Sequence, residues 1–452
     1  MIFSSTMFLF RFLPIFFILY FGAPLRMKNI ILLLGSLFFY AWGEPQYVLL
    51  LLILIVSDYC HGRFMGRSKR KSTRLFLLCT SLLISVSVFS FFRYIDAMPL
   101  GMCFYLFQSM SYIIDCYRGK VKVQTNLLDY AMYVSLFVQM PAGPIVKYAE
   151  VEKQLRERKP DVVQISHGCS RFIVGLAKKV LLANQLGLLW ADIYARDFGE
   201  LTVLAAWLGI LAFGLQIYFD FSGFADMAIG LSACLGFVFP ENFRYPYIAT
   251  SVSDFWCRWN MTLTGWLREY VYLPLGGKKK GVPRRILNIC IVWVLIGIWH
   301  GTGLRFLVWG LWFAFWVVLE KLFLKRLLRR LPNWFDNVYT LFIVCMGWVV
   351  LGIPQWQDTV GYFEAMFGQN GAGWYNRETF YLLLEYLVLF VAAVIGATPL
   401  MQQIAARLSR SVTGFGIAQY RVLEKLVLSL LLILSIVYLA GSDYQPFLYF
   451  WH

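Results

Sequence analysis

The sequence predicts an all-α polytopic membrane protein of about 11 to 13 transmembrane helices with additional re-entrant segments. Three observations carry that expectation. The first is composition: of 452 residues, 60% are hydrophobic and only 15% charged, and a mean hydropathy of +0.64 lies outside the range of soluble domains. The second is the recurrence of uncharged runs, at residues 75–92, 201–219, 286–299, 306–319, 338–353 and 426–442, most of them long enough to cross a bilayer. The third is charge placement. The formal net charge of +16 gathers in four clusters, each beside an apolar run, as the excess of Lys and Arg in cytoplasmic loops requires.

The first apolar run begins near Met7 and is interrupted by Arg11, with Pro14 and Pro24 in or beside it. No small-residue cleavage site follows before the next run, residues 30–42, so it reads as a retained first helix. The basic clusters are Arg63, Arg67, Lys69, Arg70, Lys71 and Arg74; Arg118, Lys120 and Lys122; Lys278, Lys279, Lys280, Arg284 and Arg285; and Lys325, Arg326, Arg329 and Arg330. Placed in the cytoplasm, they leave the acid-containing loops at residues 192–200 and 355–378 outside, together with both termini. Topology explains the clusters without nucleic acid as a partner.

Two stretches fit a membrane crossing poorly. Residues 127–144 lie between basic loops, so they enter and return on one side. Residues 245–277 contain Asp254, Arg258, Asn260, Arg268 and Glu269 among aromatics, too polar for a lipid-facing span but tolerable where protein or a cavity satisfies them. No repeat or soluble domain is evident, and residues 1–452 are taken as one integral membrane domain. Nine scattered cysteines without a Cys-x-x-Cys pair read as buried, reduced thiols. The four histidines, His61, His167, His300 and His452, have no metal-ligand spacing, so no metal site is expected.

Four patches depart from plain membrane composition. In residues 99–119, Gln108, Ser111 and Asp115 share one helical face, which suits hydrogen bonding between helices. In Gln139-Met-Pro-Ala-Gly-Pro, two prolines and a glycine break an apolar run, marking either a cavity or a simple loop. Asp220 and Asp226 put two carboxylates in an apolar setting. Six residues apart, they face different sides of a helix, so structural pairing with a cation such as Arg258 or Lys178 is favoured over acid–base catalysis.

The fourth patch combines Asp254-Phe-Trp-Cys-Arg-Trp-Asn260 with Trp299-His300-Gly301. Asp254 and Arg258 meet at four-residue spacing and neutralise one another. Trp259 and Trp299 flank the two polar positions. His300 closes a long uncharged stretch, where an ionisable group loses hydration unless a partner or watery path compensates it. An imidazole can take a proton from a hydroxyl while the Asn260 amide orients the reactants or steadies charge on oxygen, a division of labour that suits acyl transfer. The alternative is a core histidine satisfied by a carbonyl.

Together with Leu37-Phe-Phe-Tyr-Ala-Trp-Gly-Glu-Pro45, Gly175-Leu-Ala-Lys-Lys179 and Pro240-Glu-Asn-Phe-Arg-Tyr-Pro246, these patches resemble the membrane-bound O-acyltransferase family. The branch they resemble is the alginate O-acetyltransferase type of bacterial polysaccharide acetylation, and the likeness spans nearly the whole chain. It implies many helices around a transmembrane tunnel, acetyl-CoA as a cytoplasmic acyl donor with no tightly bound cofactor, and an extracytoplasmic glycan acetyltransferase as partner. The family's histidine falls on His300, and its second polar position falls on Asn260. That branch usually carries histidine where this chain has Asn260, whereas more distant members carry asparagine; an amide orients but cannot shuttle a proton. The stretch between Tyr94 and Pro99 is also shorter than the branch pattern.

The sequence therefore predicts an O-acyltransferase of the cytoplasmic membrane, lying among membrane lipids and moving acetyl towards an extracellular polysaccharide or cell-wall glycan. His300 is the expected base and Asn260 the orienting residue, with Asp254, Arg258, Trp259, Trp299, Gln139, Asp220 and Asp226 in support. The alternatives are D-alanyl transfer to teichoic acids from a carrier protein and, in another class, a polysaccharide or lipid transporter, which often shows an internal repeat absent here.

Overall fold

The computed structural model describes residues 2–277, 281–328, 331–411 and 415–441; Lys278 to Lys280, Arg329, Arg330 and His452 lie outside them. Among the described residues 77% are helical and none is in a strand. Nine helices there are long and apolar enough to cross a membrane, and two shorter apolar ones, Phe8–Gly22 and Lys28–Gly43, precede them. The stretches that the sequence marks as poor crossings, residues 127–144 and 245–277, are broken into short helices and turns.

The chain divides into two compact units. The first takes residues 1–175 and 224–241. It contains α1 (Leu13–Gly22), α2 (Lys28–Gly43), α3 (Val48–Arg67), α4 (Lys71–Tyr94), α5 (Met102–Arg118) and α6 (Leu127–Ser135). The start of α7 (Val162–Tyr194) and the end of α8 (Val203–Cys234) complete it. Its α4 shows what solvent the fold was built for: the buried residues of α4 are Ser81, Ser85 and Arg93, while Phe76, Leu83 and Phe91 are exposed. A helix in water would do the reverse. In lipid, where backbone and hydroxyl groups must find partners inside the protein, turning polar side chains inward and leucines outward is favourable.

Polar contacts accordingly stitch the interior of this unit. Asp58 of α3 accepts a hydrogen bond from the Ser81 hydroxyl at 2.7 Å and another from Ser109, whose hydroxyl also meets Tyr130 at 2.9 Å. Residues 131–146 are buried although only the first five are helical, and the broken backbone is tied down by the Ser36 hydroxyl accepting from Phe137 N at 3.1 Å and by Tyr133 donating to Val146 O at 2.9 Å. Non-helical backbone in an apolar interior persists only when satisfied in this way. Outside the spanning helices, Glu44 accepts from Leu100 N at 2.7 Å, while burial pushes its carboxyl above the ordinary range.

The second unit takes residues 176–223 and 242–452. After the rest of α7 and the start of α8 come α9 (Val252–Arg258), α10 (Met261–Leu267), α11 (Gly281–His300), α12 (Leu304–Leu319), α13 (Asn333–Gly352), α14 (Trp356–Met366), α15 (Arg377–Gly396), α16 (Leu400–Ser411) and α17 (Phe415–Gly441). The antiparallel neighbours α11 and α12 approach closely because of two glycines. A methyl group on Gly297 would lie 2.6 Å from Phe306 O, and one on Gly310 would lie 2.5 Å from Trp293 O. Small residues at helix crossings allow this approach in lipid, where hydrophobic burial supplies little attraction between helices.

None of the nine cysteines is joined in a disulfide. Only Cys103, Cys116, Cys234 and Cys345 are buried as the sequence led us to expect, whereas Cys79, Cys169 and Cys257 are exposed.

Candidate active site

The site is built on the break between α9 and α10. Helix α9 starts where Ser251 accepts a hydrogen bond from Asp254 N at 3.0 Å, a conventional N-cap. A second group reinforces it: the buried carboxylate of Glu320 accepts from Val252 N at 2.6 Å and Ser253 N at 2.9 Å. An anion at a helix N-terminus meets both unpaired N–H groups and the positive end of the dipole. Upstream, Asn337 donates to Ile248 O and Ala249 O, each at 2.9 Å, fixing the turn that leads in. Tyr247 donates to Gly214 O at 2.5 Å, and burial pushes its phenol well above the ordinary value, so it remains a donor.

Helix α9 ends at Trp259, and Asn260 adopts the left-handed conformation, φ 42° and ψ 57°. Asparagine enters that region more readily than most residues. The segment 242–244 closes on the break from outside. Arg244 N donates to Arg258 O at 2.9 Å and Met261 N to Asn242 O at 2.8 Å. The Asn242 side chain accepts from Thr262 N at 3.2 Å and from its hydroxyl at 2.8 Å. Tyr245 is held at φ 47° beside these bonds, a left-handed conformation that costs an aromatic residue roughly 1–2 kcal/mol. The backbone at the break is thus paired, yet the Asn260 side-chain oxygen is buried with no hydrogen-bond partner.

His300 is the last residue of α11. Its ring stands edge-to-face against Trp309 at 4.8 Å and Trp299 at 4.7 Å between centroids. From Trp309 the aromatic contacts continue to Trp256 at 5.6 Å and Trp348 at 6.5 Å. Trp348 meets Trp259, the neighbour of Asn260, at 5.2 Å with the rings tilted. One continuous aromatic cluster in the second unit therefore carries both polar positions that the sequence picked out. Gly301 is required at its edge, because a Cβ there would lie 1.8 Å from the Phe306 ring. The histidine is half-buried, so its two tryptophan faces shield it from water in part, which strengthens any charge interaction it makes.

The supporting residues fall into place differently. Asp254 and Arg258 pair at 3.0 Å as their spacing predicts. Asp220 pairs with Lys179 at 2.5 Å, both almost wholly buried. Lys179, next to the expected Lys178, lies in a π-helical turn, Lys178–Ala183, which rotates the register that ordinary helical spacing assumes. Arg258 is engaged by Asp254. Asp226 belongs to the first unit, where Arg171 grips it at 2.8 Å and Glu241 at 2.5 Å. The two carboxylates thus have separate cations, and the pairing that the sequence favoured over catalysis is what each makes. Gln139, also in the first unit, accepts from the Gln108 amide, so the polar face of α5 bonds here to the non-helical segment after α6 and not to another helix.

Family comparison decides what such a site belongs to. Residues 46–353 match the model of the MBOAT, membrane-bound O-acyltransferase, family. The chain belongs to the membrane-bound O-acyltransferase family. It is 33% identical to a probable alginate O-acetylase AlgI of Pseudomonas putida across the full length of both chains. A probable alginate O-acetylase AlgI of Pseudomonas aeruginosa is 35% identical over 86% of this chain and 81% of its own. A peptidoglycan O-acetyltransferase of Helicobacter pylori is 29% identical over 82% of this chain and 80% of its own. The protein is a multi-pass membrane O-acyltransferase, and the family that its motifs resembled is the family to which it belongs.

Sequence reasoning missed Glu320, Asn337, Trp256 and Trp309. Glu320, Asn337 and Trp309 sit in helices of ordinary membrane-span composition, whereas Trp256 lies in the short helix α9. The signal for Glu320 was present, since a carboxylate inside residues 304–328 demands a partner. Nothing local says that the partner is a helix N-terminus 68 residues away.

Proposed function

We propose that this acyltransferase takes acetyl from cytoplasmic acetyl-CoA and passes it across the cytoplasmic membrane for O-acetylation of an extracellular polysaccharide or cell-wall glycan, with an extracytoplasmic transferase as partner. His300 is the general base and Asn260 orients the reactants. The observation that carries this reading is a half-buried histidine at the end of a membrane-length helix, flanked by Trp299 and Trp309 in one aromatic cluster with Asn260's segment. The relatives add to it, being named for acetylation of alginate and peptidoglycan.

In this reaction the acceptor hydroxyl oxygen attacks the thioester carbonyl carbon, the C–O bond forms and the C–S bond breaks. His300 takes the hydroxyl proton and returns it to the departing sulfur. Asn260, with one donor group and an unpaired acceptor oxygen, holds the reactants in register. Asp254, Arg258 and Glu320 act at one remove by fixing the segment that bears Asn260.

His300→Ala tests the reading. Surface glycan O-acetyl content, measured by mass spectrometry at equal membrane abundance of the protein, should fall to that of a deletion strain. Unchanged O-acetylation would reject the enzyme assignment of His300. Feeding labelled acetate and finding label in the glycan acetyl would support the acetyl donor over D-alanine.

A further inference from the structure

Resting on that reading of the site, we propose that the indole N–H groups of Trp309 and Trp256 bind the carbonyl oxygen of the acyl thioester and stabilise the negative charge that it carries during transfer. Buried indole nitrogens nearly always donate to something, because an unpaired donor in an apolar interior forfeits the hydrogen bond it had in water. Trp312 and Trp207 follow that rule, donating to Ile343 O at 3.1 Å and Met366 O at 3.0 Å. Trp309 and Trp256 do not. Both Nε1 atoms are buried without an acceptor, and Trp309 as a whole is only 1% exposed.

The Nε1 atoms of Trp316 and Trp348 also lack an acceptor; what sets Trp309 and Trp256 apart is their nearness to His300. The two rings meet edge-to-face at 5.6 Å, and the Trp309 ring lies against His300 at 4.8 Å. Two unsatisfied donors are therefore kept within roughly a ring's breadth or two of the base. Trp348 Nε1 in the same cluster also lacks an acceptor, but its ring lies farther from Trp309, at 6.5 Å; on the adjoining segment Asn260 Oδ1 is an unpaired acceptor. The complement of buried N–H donors without acceptors is a carbonyl oxygen, and a thioester brings one. When the acceptor oxygen attacks carbon, the carbonyl electron pair moves onto oxygen; the indole N–H groups bind it there until the C–S bond breaks. Donors fixed in a low-dielectric wall do this without reorganising.

Close packing keeps these donors in place. Gly310, beside Trp309, lets α12 press on Trp293 O of α11, and Phe313 stands edge-to-face to both indoles, 4.8 Å from Trp256 and 5.2 Å from Trp309. The aromatic wall would exist equally well with phenylalanine at position 309; the N–H is what packing does not explain.

The test removes the N–H and keeps the ring. The full-length protein in lipid nanodiscs is titrated with acetyl-CoA and with S-ethyl-CoA, a thioether of the same size that lacks the carbonyl. The parent should prefer acetyl-CoA by tenfold or more, and Trp309→Phe should bring the two within about twofold. In cells at equal protein abundance, Trp309→Phe should lower glycan O-acetylation by about 10²–10³-fold, the loss typical of one oxyanion donor. Benzothienylalanine at position 309, with sulfur replacing N–H in an otherwise indole-shaped ring, guards against a folding defect and should behave as Trp309→Phe does. Retained preference and retained acetylation in both variants, with His300→Ala inactive, would overturn the donor assignment alone. Failure of the parent to bind acetyl-CoA, or full activity of His300→Ala, would overturn the underlying site as well.

Discussion

At the scale of single residues, Asn260 carries two separable duties. Its backbone occupies the left-handed region at φ 42°, and its side chain presents an unpaired acceptor. Glycine meets the first duty without strain but not the second, whereas alanine meets neither. Asn260→Gly should therefore keep the thermal stability of the parent within a degree or two and lose glycan O-acetylation. Asn260→Ala should lose both, with a stability deficit of roughly 1 kcal/mol from the strained backbone. Asn260→His, which tolerates the left-handed region better than most residues, should retain the fold. Thermal unfolding of purified protein read beside acetyl content in cells separates these outcomes. If Asn260→Gly kept full activity, the amide would have no part in the chemistry.

At the scale of elements, the short helix α9 depends on a carboxylate from another helix. Glu320 accepts two N–H bonds from its first turn and is buried. Glu320→Ala leaves two buried donors unpaired, a loss of about 1–3 kcal/mol for each such group. Glu320→Gln, with one acceptor oxygen, should fall between. Both should lower the unfolding temperature, and activity should fall with the fraction of α9 that stays ordered; a Glu320→Ala protein as stable as the parent would show that Ser251 alone suffices. This dependence explains what could be read from the sequence. Asp254 with Arg258, the Gln108 face and the break at residues 139–144 were legible because their logic is local: helical spacing or prolines. The choice of Lys179 over Lys178 was not, because a π-helical turn shifts the register there. Nor was the cap by Glu320 or the meeting of Trp256 with Trp309, because each joins residues more than fifty positions apart, and composition alone cannot assign partners across that distance.

At the scale of the whole molecule, two patterns describe its surroundings. One is the inverted burial of helices such as α4, serines inward and leucines outward. The other is the placement of Lys and Arg, six of which fall within residues 63–74, whereas residues 192–200 carry three acids against one arginine. The positive-inside rule turns the second pattern into an orientation, with Lys69 cytoplasmic and Glu200 on the outer face. Both side chains are exposed, so each can report its compartment. In a background with Cys79, Cys169 and Cys257 changed to serine, a membrane-impermeant maleimide added to intact cells should label Glu200→Cys and leave Lys69→Cys unmodified until the cells are opened. For the proposed coenzyme A donor, confined to the cytoplasm by its phosphates, that orientation would make acyl movement run from inside to outside. Labelling of Lys69→Cys from outside would reverse the orientation, place the basic loops on the glycan side, and remove the reason for a transfer from inside to outside.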